Sequence, residues 1–224
     1  MVVQNSKRTH AAAIFLACLT CCGGSKAVTA ETAAGTGAVS VPAKEYVVIG
    51  EDRYDVPAPW AGNRLAVEVL VYEDFRPVPL QYTKDNTSIY VLKAIYDPLI
   101  ELLDAAARQG VQLEISSGYR SAGYQKKIFL RMFAKGRSFE DAIRFVAPPG
   151  YSEHMLGTAV DFSPSNWRFA KTRDYQWLKD HAAAFGFLES YPQYGVPGFP
   201  WEAWHWRYDA TEQTVDDQLT SPDP

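Results

Sequence analysis

Two blocks far apart in the chain restrict its possible folds more than any other feature. The first is Ser152-Glu153-His154-Met155-Leu156-Gly157-Thr158-Ala159-Val160-Asp161, and the second is Trp201-Glu202-Ala203-Trp204-His205. Together they offer two imidazoles and a carboxylate to one divalent cation, with a second carboxylate, Glu202, three residues before the distal His. For these groups to meet, residues 154 and 161 must lie beside 205. His154 and Asp161 are seven apart with Gly157 between them, a spacing that lets a loop His and a strand Asp point at one spot. Glu202 and His205 would fall on opposite faces of a regular strand, so the chain must turn between them, with Glu202 in the loop before the strand. Taken alone, each block also has a bland reading. A His near a Gly is more often a hydrogen-bonded structural residue, and Trp201, Trp204 and Trp206 are more often packing.

The cysteines narrow the chemistry. Cys18, Cys21 and Cys22 all fall in residues 1–30, where basic Lys7 and Arg8, an apolar stretch over 11–22 and Val28-Thr29-Ala30 read as an export signal. Leu19-Thr20-Cys21-Cys22 followed by Gly23-Gly24-Ser25 also fits a lipid-attachment box, so cleavage after Ala30 and lipid anchoring both stand. The mature domain then has neither disulfides nor thiolate ligands, and its histidines are His154, His181 and His205. Any metal must be held by imidazole and carboxylate, a set that suits zinc. The expected location is outside the cytoplasm, in the periplasm or cell envelope, with membrane attachment only through the signal or lipid anchor.

A net charge of -4 without a basic run argues against nucleic acid as a partner. The 47% hydrophobic content supports a real core in one domain, expected over 46–210 as a monomer. Residues 31–45 read as a flexible linker, and 211–224 as a disordered acidic tail.

Within the domain, 46–49 and 65–72 have the composition of short strands, and the Pro-rich turn Arg76-Pro77-Val78-Pro79 closes this portion. Apolar residues from Val91 to Ala106 recur at three- and four-residue steps and predict a helix within 87–109, kinked or divided at Asp97-Pro98. Val111, Leu113 and Ile115 alternate, predicting a strand with those three inward. Helices are predicted over 121–135, 138–146 and 172–185, the second starting at a capping box led by Ser138. Strands are predicted over 158–162, 187–190 and 204–208, the last with His205 and Arg207 on one face. The fold class is therefore α+β: a small, mostly antiparallel sheet flanked by helices.

Three blocks, Ser117-Gly118-Tyr119-Arg120-Ser121, Pro149-Gly150-Tyr151-Ser152-Glu153-His154 with Gly157 and Asp161, and Glu202-Ala203-Trp204-His205-Trp206-Arg207-Tyr208, carry a resemblance over about 87–208. In that order they resemble the D-alanyl-D-alanine carboxypeptidases of the VanY type, a family that includes L,D-carboxypeptidases trimming peptidoglycan tetrapeptides. The resemblance implies a single zinc peptidase domain with one Zn2+ per chain, held by His154, Asp161 and His205. It implies Glu202 as the catalytic base that assists attack of zinc-bound water on the stem peptide, and Arg120 near the scissile region. Ser152, Ser117 and Gln125 are implied as substrate contacts. Thr158 and Trp206 depart from the Leu and Tyr common at those positions, and 46–82 matches no motif of the family.

The implied activity is removal of the C-terminal D-alanine from peptidoglycan stem peptides, D,D or L,D. An endopeptidase of the same fold, or a wall-binding module with a structural zinc, are the alternatives. Arg120 has two open roles, stabilising a developing oxyanion or gripping the terminal carboxylate. Glu153 is a rival base, disfavoured because a sequence neighbour of a ligand tends to point elsewhere. His181 is read as structural.

Overall fold

The computed structural model describes residues 44–67, 69–195 and 197–210, all within one compact unit, Pro42–Pro224. The expected signal, most of the linker and the expected tail lie outside the described residues.

The centre of the domain is a four-stranded antiparallel sheet of β5 (Ile115–Ser117), β6 (Ala159–Phe162), β8 (His205–Tyr208) and β7 (Phe187–Glu189), in that spatial order. β6 and β8 occupy the middle, in a register that sets Ala159 against Arg207, Val160 against Trp206 and Asp161 against His205. Residues opposite each other share a face, and faces alternate along a strand. Val160, Phe162 and Trp206 therefore enter the larger apolar core, while Asp161, His205 and Arg207 belong to the other face. The predicted fold class and the predicted alternation of β8 both hold.

That core is built mainly by α1 (Lys93–Arg108), which buries Ile95, Leu99, Leu102, Leu103 and Ala106. Each such aliphatic side chain contributes roughly 1.5–3 kcal/mol on full burial. α4 (Arg173–His181) adds Trp177 and Leu178 and is capped by the Thr172 hydroxyl, which accepts from the Tyr175 amide at 3.1 Å. A second cluster forms where a hairpin, β1 (Tyr46–Ile49) and β2 (Asp52–Asp55), meets α2 (Ala122–Phe133) and the short α3 (Phe139–Ala142). Its members include Val47, Ile49, Trp60, Phe129, Phe139 and Tyr151. Ser138 caps α3 as predicted, accepting from the Asp141 amide at 3.2 Å, although the helix stops at Ala142 rather than near 146.

Several expectations are corrected. Residues 65–67 and 69–71 form no strand. The chain instead pairs β3 (Phe75–Pro77), which includes part of the expected Pro-rich turn, with β4 (Tyr90–Leu92). Pro77 is tolerated because this two-stranded ribbon is all edge. The expected helix within 87–109 begins only at Lys93, after β4, and it is one helix, with Pro98 inside it rather than at a break. Its buried face outweighs the backbone bond that Pro98 cannot make. Val111, Leu113 and Ile115 are buried as their alternation requires, yet the ladder starts only at Ile115. The predicted 172–185 helix is α4 followed by a 3₁₀ turn, Ala182–Phe185.

Candidate metal centre

His154 sits on a single 3₁₀ turn, Glu153–Leu156, closed by Gly157 in the left-handed conformation at φ 72°. That glycine fits where a side chain would not: an added Cβ would lie 3.1 Å from Phe75 Cε1 and 3.2 Å from Leu92 Cβ. The Leu92 amide donates to the Gly157 carbonyl at 2.9 Å, so the β3–β4 ribbon fixes the turn that carries His154. The chain then enters β6 and delivers Asp161 opposite His205. Before β8, the His205 amide donates to the Glu202 carbonyl at 2.9 Å. This is the turn required by the three-residue spacing, and it sets Glu202 on the wall of the same cavity.

His154, Asp161 and His205 converge, each offering a ligand atom within 4.8 Å of the others. All three are buried. His154 Nδ1 lies 2.7 Å from the Gly118 carbonyl, an acceptor only, so the neutral ring carries its proton there. The Nε2 lone pair is then left bare. It is buried without a hydrogen-bond partner, 3.1 Å from Asp161 Oδ2. A metal ion beside them would satisfy the lone pair and the carboxylate together, and two imidazoles plus one carboxylate suit zinc. The residues present therefore fit the metal.

The two rings are held in opposite states. Burial pushes the His154 imidazole down to about 4. Burial would also lower His205, but hydrogen bonding to Asp161, at 3.0 Å from Nδ1, and to Glu153, at 2.9 Å from Nε2, raises it to about 10. Burial alone would raise the Asp161 carboxyl, yet His154 and His205 beside it hold it well below the usual carboxylate range. Glu202 is pushed up to about 7, chiefly by burial, with His205 opposing and Asp161 adding to the rise.

A cavity of about 170 Å³ opens over these groups, lined by Arg120, Ser152, Glu153, Tyr191, Glu202 and Trp204 as well as the three converging residues. Arg120 has a fixed backbone, its amide donating to the His154 carbonyl at 3.1 Å, and its Nη1 lies 3.8 Å from Asp161 Oδ2. Its Nε is buried without a partner. Trp60, from the segment after the β1–β2 hairpin, also reaches this cavity, and no signal in the sequence linked it to the site.

Two expected substrate contacts are elsewhere. Gln125 is fully buried in α2 and donates from Nε2 to the Ala147 carbonyl at 2.8 Å, and Ser117 pairs with Asp161 in the sheet. Neither lines the cavity. Glu153 does reach the centre, against the expectation that it points away: its Oε2 meets the Nε2 side of the His205 ring at 2.9 Å. His181 stacks on Trp177, centroids 4.7 Å apart, and its Nδ1 lies 2.9 Å from the Trp177 carbonyl, which is the structural role expected.

Comparison with known proteins follows the same outline. The sequence profile VanY, described as D-alanyl-D-alanine carboxypeptidase, matches residues 88–211. The Bacillus subtilis (strain 168) protein YodJ is 38% identical over 128 residues, covering 53% of this chain and 46% of YodJ. A D-alanyl-D-alanine carboxypeptidase of Enterococcus faecalis (strain ATCC 700802 / V583) is 27% identical over 191 residues, covering 79% of this chain and 68% of that protein. The chain thus spans under half the length of the first of these relatives and about two thirds of the second. Among solved structures, the LdcB LD-carboxypeptidase superposes with a TM-score of 0.51 at 34% identity, over 58% of this chain and 65% of that one.

Proposed function

The chain belongs to the VanY family of D-alanyl-D-alanine carboxypeptidases, and on that premise we propose that it is a zinc-dependent carboxypeptidase removing the C-terminal D-alanine from peptidoglycan stem peptides. The observation that carries the reading is the bare, buried Nε2 of His154 facing Asp161 and His205, with Glu202 on the wall of the same cavity. His154, Asp161 and His205 would hold one zinc per chain. When bound, the metal supplies a Lewis acid that polarises the scissile carbonyl and makes water acidic enough to act near neutral pH.

The protein's own groups account for the remaining work. Glu202, raised to about 7, is poised to take a proton from the attacking water on its carboxylate and return it to the departing amine, since a base works best with its pKa near the working pH. Arg120 keeps a permanent positive charge beside the reacting centre. There it can stabilise the oxyanion or hold the substrate's terminal carboxylate, and Ser152 on the cavity wall offers a further contact. The cavity, about 170 Å³, opens over the converging groups and has room for a small terminal residue. It also leaves an approach to the metal that a closed structural zinc site would lack.

The decisive experiment incubates the purified protein with a defined mixture of tetrapeptide and pentapeptide muropeptides and weighs the products by mass spectrometry. Release of D-alanine that stops on chelation and returns with zinc supports the reading, and the stem that shortens assigns D,D or L,D activity. Binding without turnover would instead favour the wall-binding module. The substrate lies outside the cytoplasm, so the reading includes export by residues 1–30, to the periplasm or envelope, with or without a lipid anchor. Cell fractionation and mass spectrometry of the mature N-terminus test that part.

A further inference from the structure

The imidazole of His205 has two nitrogens, and each faces a carboxylate. Nδ1 lies 3.0 Å from Asp161 Oδ1, on the side where His154 Nε2 also converges. Nε2 lies 2.9 Å from Glu153 Oε2 on the opposite side of the ring. Only one of these nitrogens can serve a metal shared with His154 and Asp161, and it is Nδ1. The other must then carry the proton, and Glu153 is the group that accepts it.

We infer that Glu153 is a positioning residue for the metal centre: its carboxylate accepts the Nε2–H of His205 and thereby commits Nδ1 to the metal. The inference rests on the zinc reading above and extends it to a residue outside the ligand set. Glu153 is itself held in place. It starts the turn that carries His154, and its other oxygen lies 3.8 Å from Arg207 Nε, whose Nη1 is held by Asp209 at 2.9 Å. Arg207 shares the His205 face of β8, so the strand presenting the ring also orients the group behind it. The two imidazoles are then supported in parallel ways, His154 by the neutral Gly118 carbonyl and His205 by a charged carboxylate. A carboxylate behind a ligating His fixes its tautomer and raises its basicity. The same contact gives Glu153 a task distinct from that proposed for Glu202, since one of its oxygens is engaged by His205.

The test strips the full-length protein of metal and titrates zinc back in competition with a chromophoric chelator. The parent is compared with Glu153→Gln, which keeps a carbonyl acceptor of the same shape without the charge, and Glu153→Ala, which has neither. Affinity is expected to fall about 10- to 100-fold in Glu153→Ala, with Glu153→Gln between it and the parent. Long-range 1H–15N spectra of the zinc-loaded protein should show His205 as the Nε2–H tautomer in the parent and lose that single state in Glu153→Ala. Should the Ala variant fail to fold, Glu153→Gln alone decides. Parent-like affinity and an unchanged tautomer in the folded variants would overturn the inference. A parent that binds no zinc would instead overturn the reading on which it rests, so the two failures are distinct.

Discussion

Asp161 and His205 stand directly opposite each other on the two central strands, with carboxylate and imidazole 3.0 Å apart across the sheet. A pair in register on neighbouring antiparallel strands is fixed by the backbone ladder itself, so two of the three converging groups need no loop to hold them. Only His154 is brought in from a turn. That turn is closed by a glycine and tied to β4, leaving little freedom to the third member.

Glu202→Gln removes the proton-accepting group while preserving its volume and the backbone turn to His205. D-alanine release should fall by about 10²- to 10⁴-fold, the usual contribution of a positioned base. Zinc affinity, read by chelator competition, should stay within a few-fold of the parent. Full activity with metal bound would remove Glu202 from the mechanism.

Zinc binding should release a proton. His205, raised to about 10, holds two ring protons throughout the neutral range in the metal-free protein, whereas His154, lowered to about 4, is already neutral. A metal must therefore displace one proton from His205 Nδ1, and affinity should rise with pH by about a decade per unit until His205 itself titrates. Calorimetry at pH 8 in buffers of differing ionisation enthalpy measures the number directly. Near one proton per zinc is expected, since Glu202 at about 7 is by then largely ionised.

Gly157→Ala places a methyl group 3.1 Å from Phe75 Cε1 on a backbone with φ 72°. The strained conformation costs on the order of 1–3 kcal/mol, which should lower the melting temperature by several degrees. Because Gly157 closes the turn that presents His154, zinc affinity should fall in the same variant.

Leu102→Ala separates stability from the site. Leu102 is fully buried in the larger core and does not line the cavity. Unfolding in urea should show a loss of about 2–5 kcal/mol, with zinc affinity of the folded protein unchanged.

How much of this was legible in the sequence depended on whether the signal was local. The turn between Glu202 and His205 follows from a spacing and a strand period, and it is there. β8 and the buried face of α1 follow from periodicity alone. The β2 strand, Asp-Arg-Tyr-Asp, escaped because both its faces are polar or partly exposed, and its partner β1 supplies the apolar side chains. Residues 65–67 and 69–71 have strand-like composition but join no ladder among the described residues, and composition cannot reveal that. Pro98 reads as a kink or a division because local sequence carries the lost hydrogen bond but not the core that compensates for it, and the division does not occur. At the centre, the ligand set was readable as a constellation, while Glu153 was not. The two neighbours do diverge, but the His205 ring stands where Glu153 can meet its Nε2 while His154 faces Asp161, and that placement of a distant strand is not written in the local sequence.

The two apolar clusters have a consequence for how such a site can diversify. The chain passes from one to the other across the first block, with Tyr151, just before it, packed in the cluster of the N-terminal hairpin and Val160 in that of the central sheet. Asp161 and His205 belong to the sheet, inside the region matched by the family profile, whereas Trp60, which lines the cavity, comes from a segment that precedes that region. One wall of the cavity is thus supplied by a segment outside the sheet that carries Asp161 and His205. A substitution at Trp60 would recut that wall while the register that holds the two reactive side chains opposite each other stays as it is.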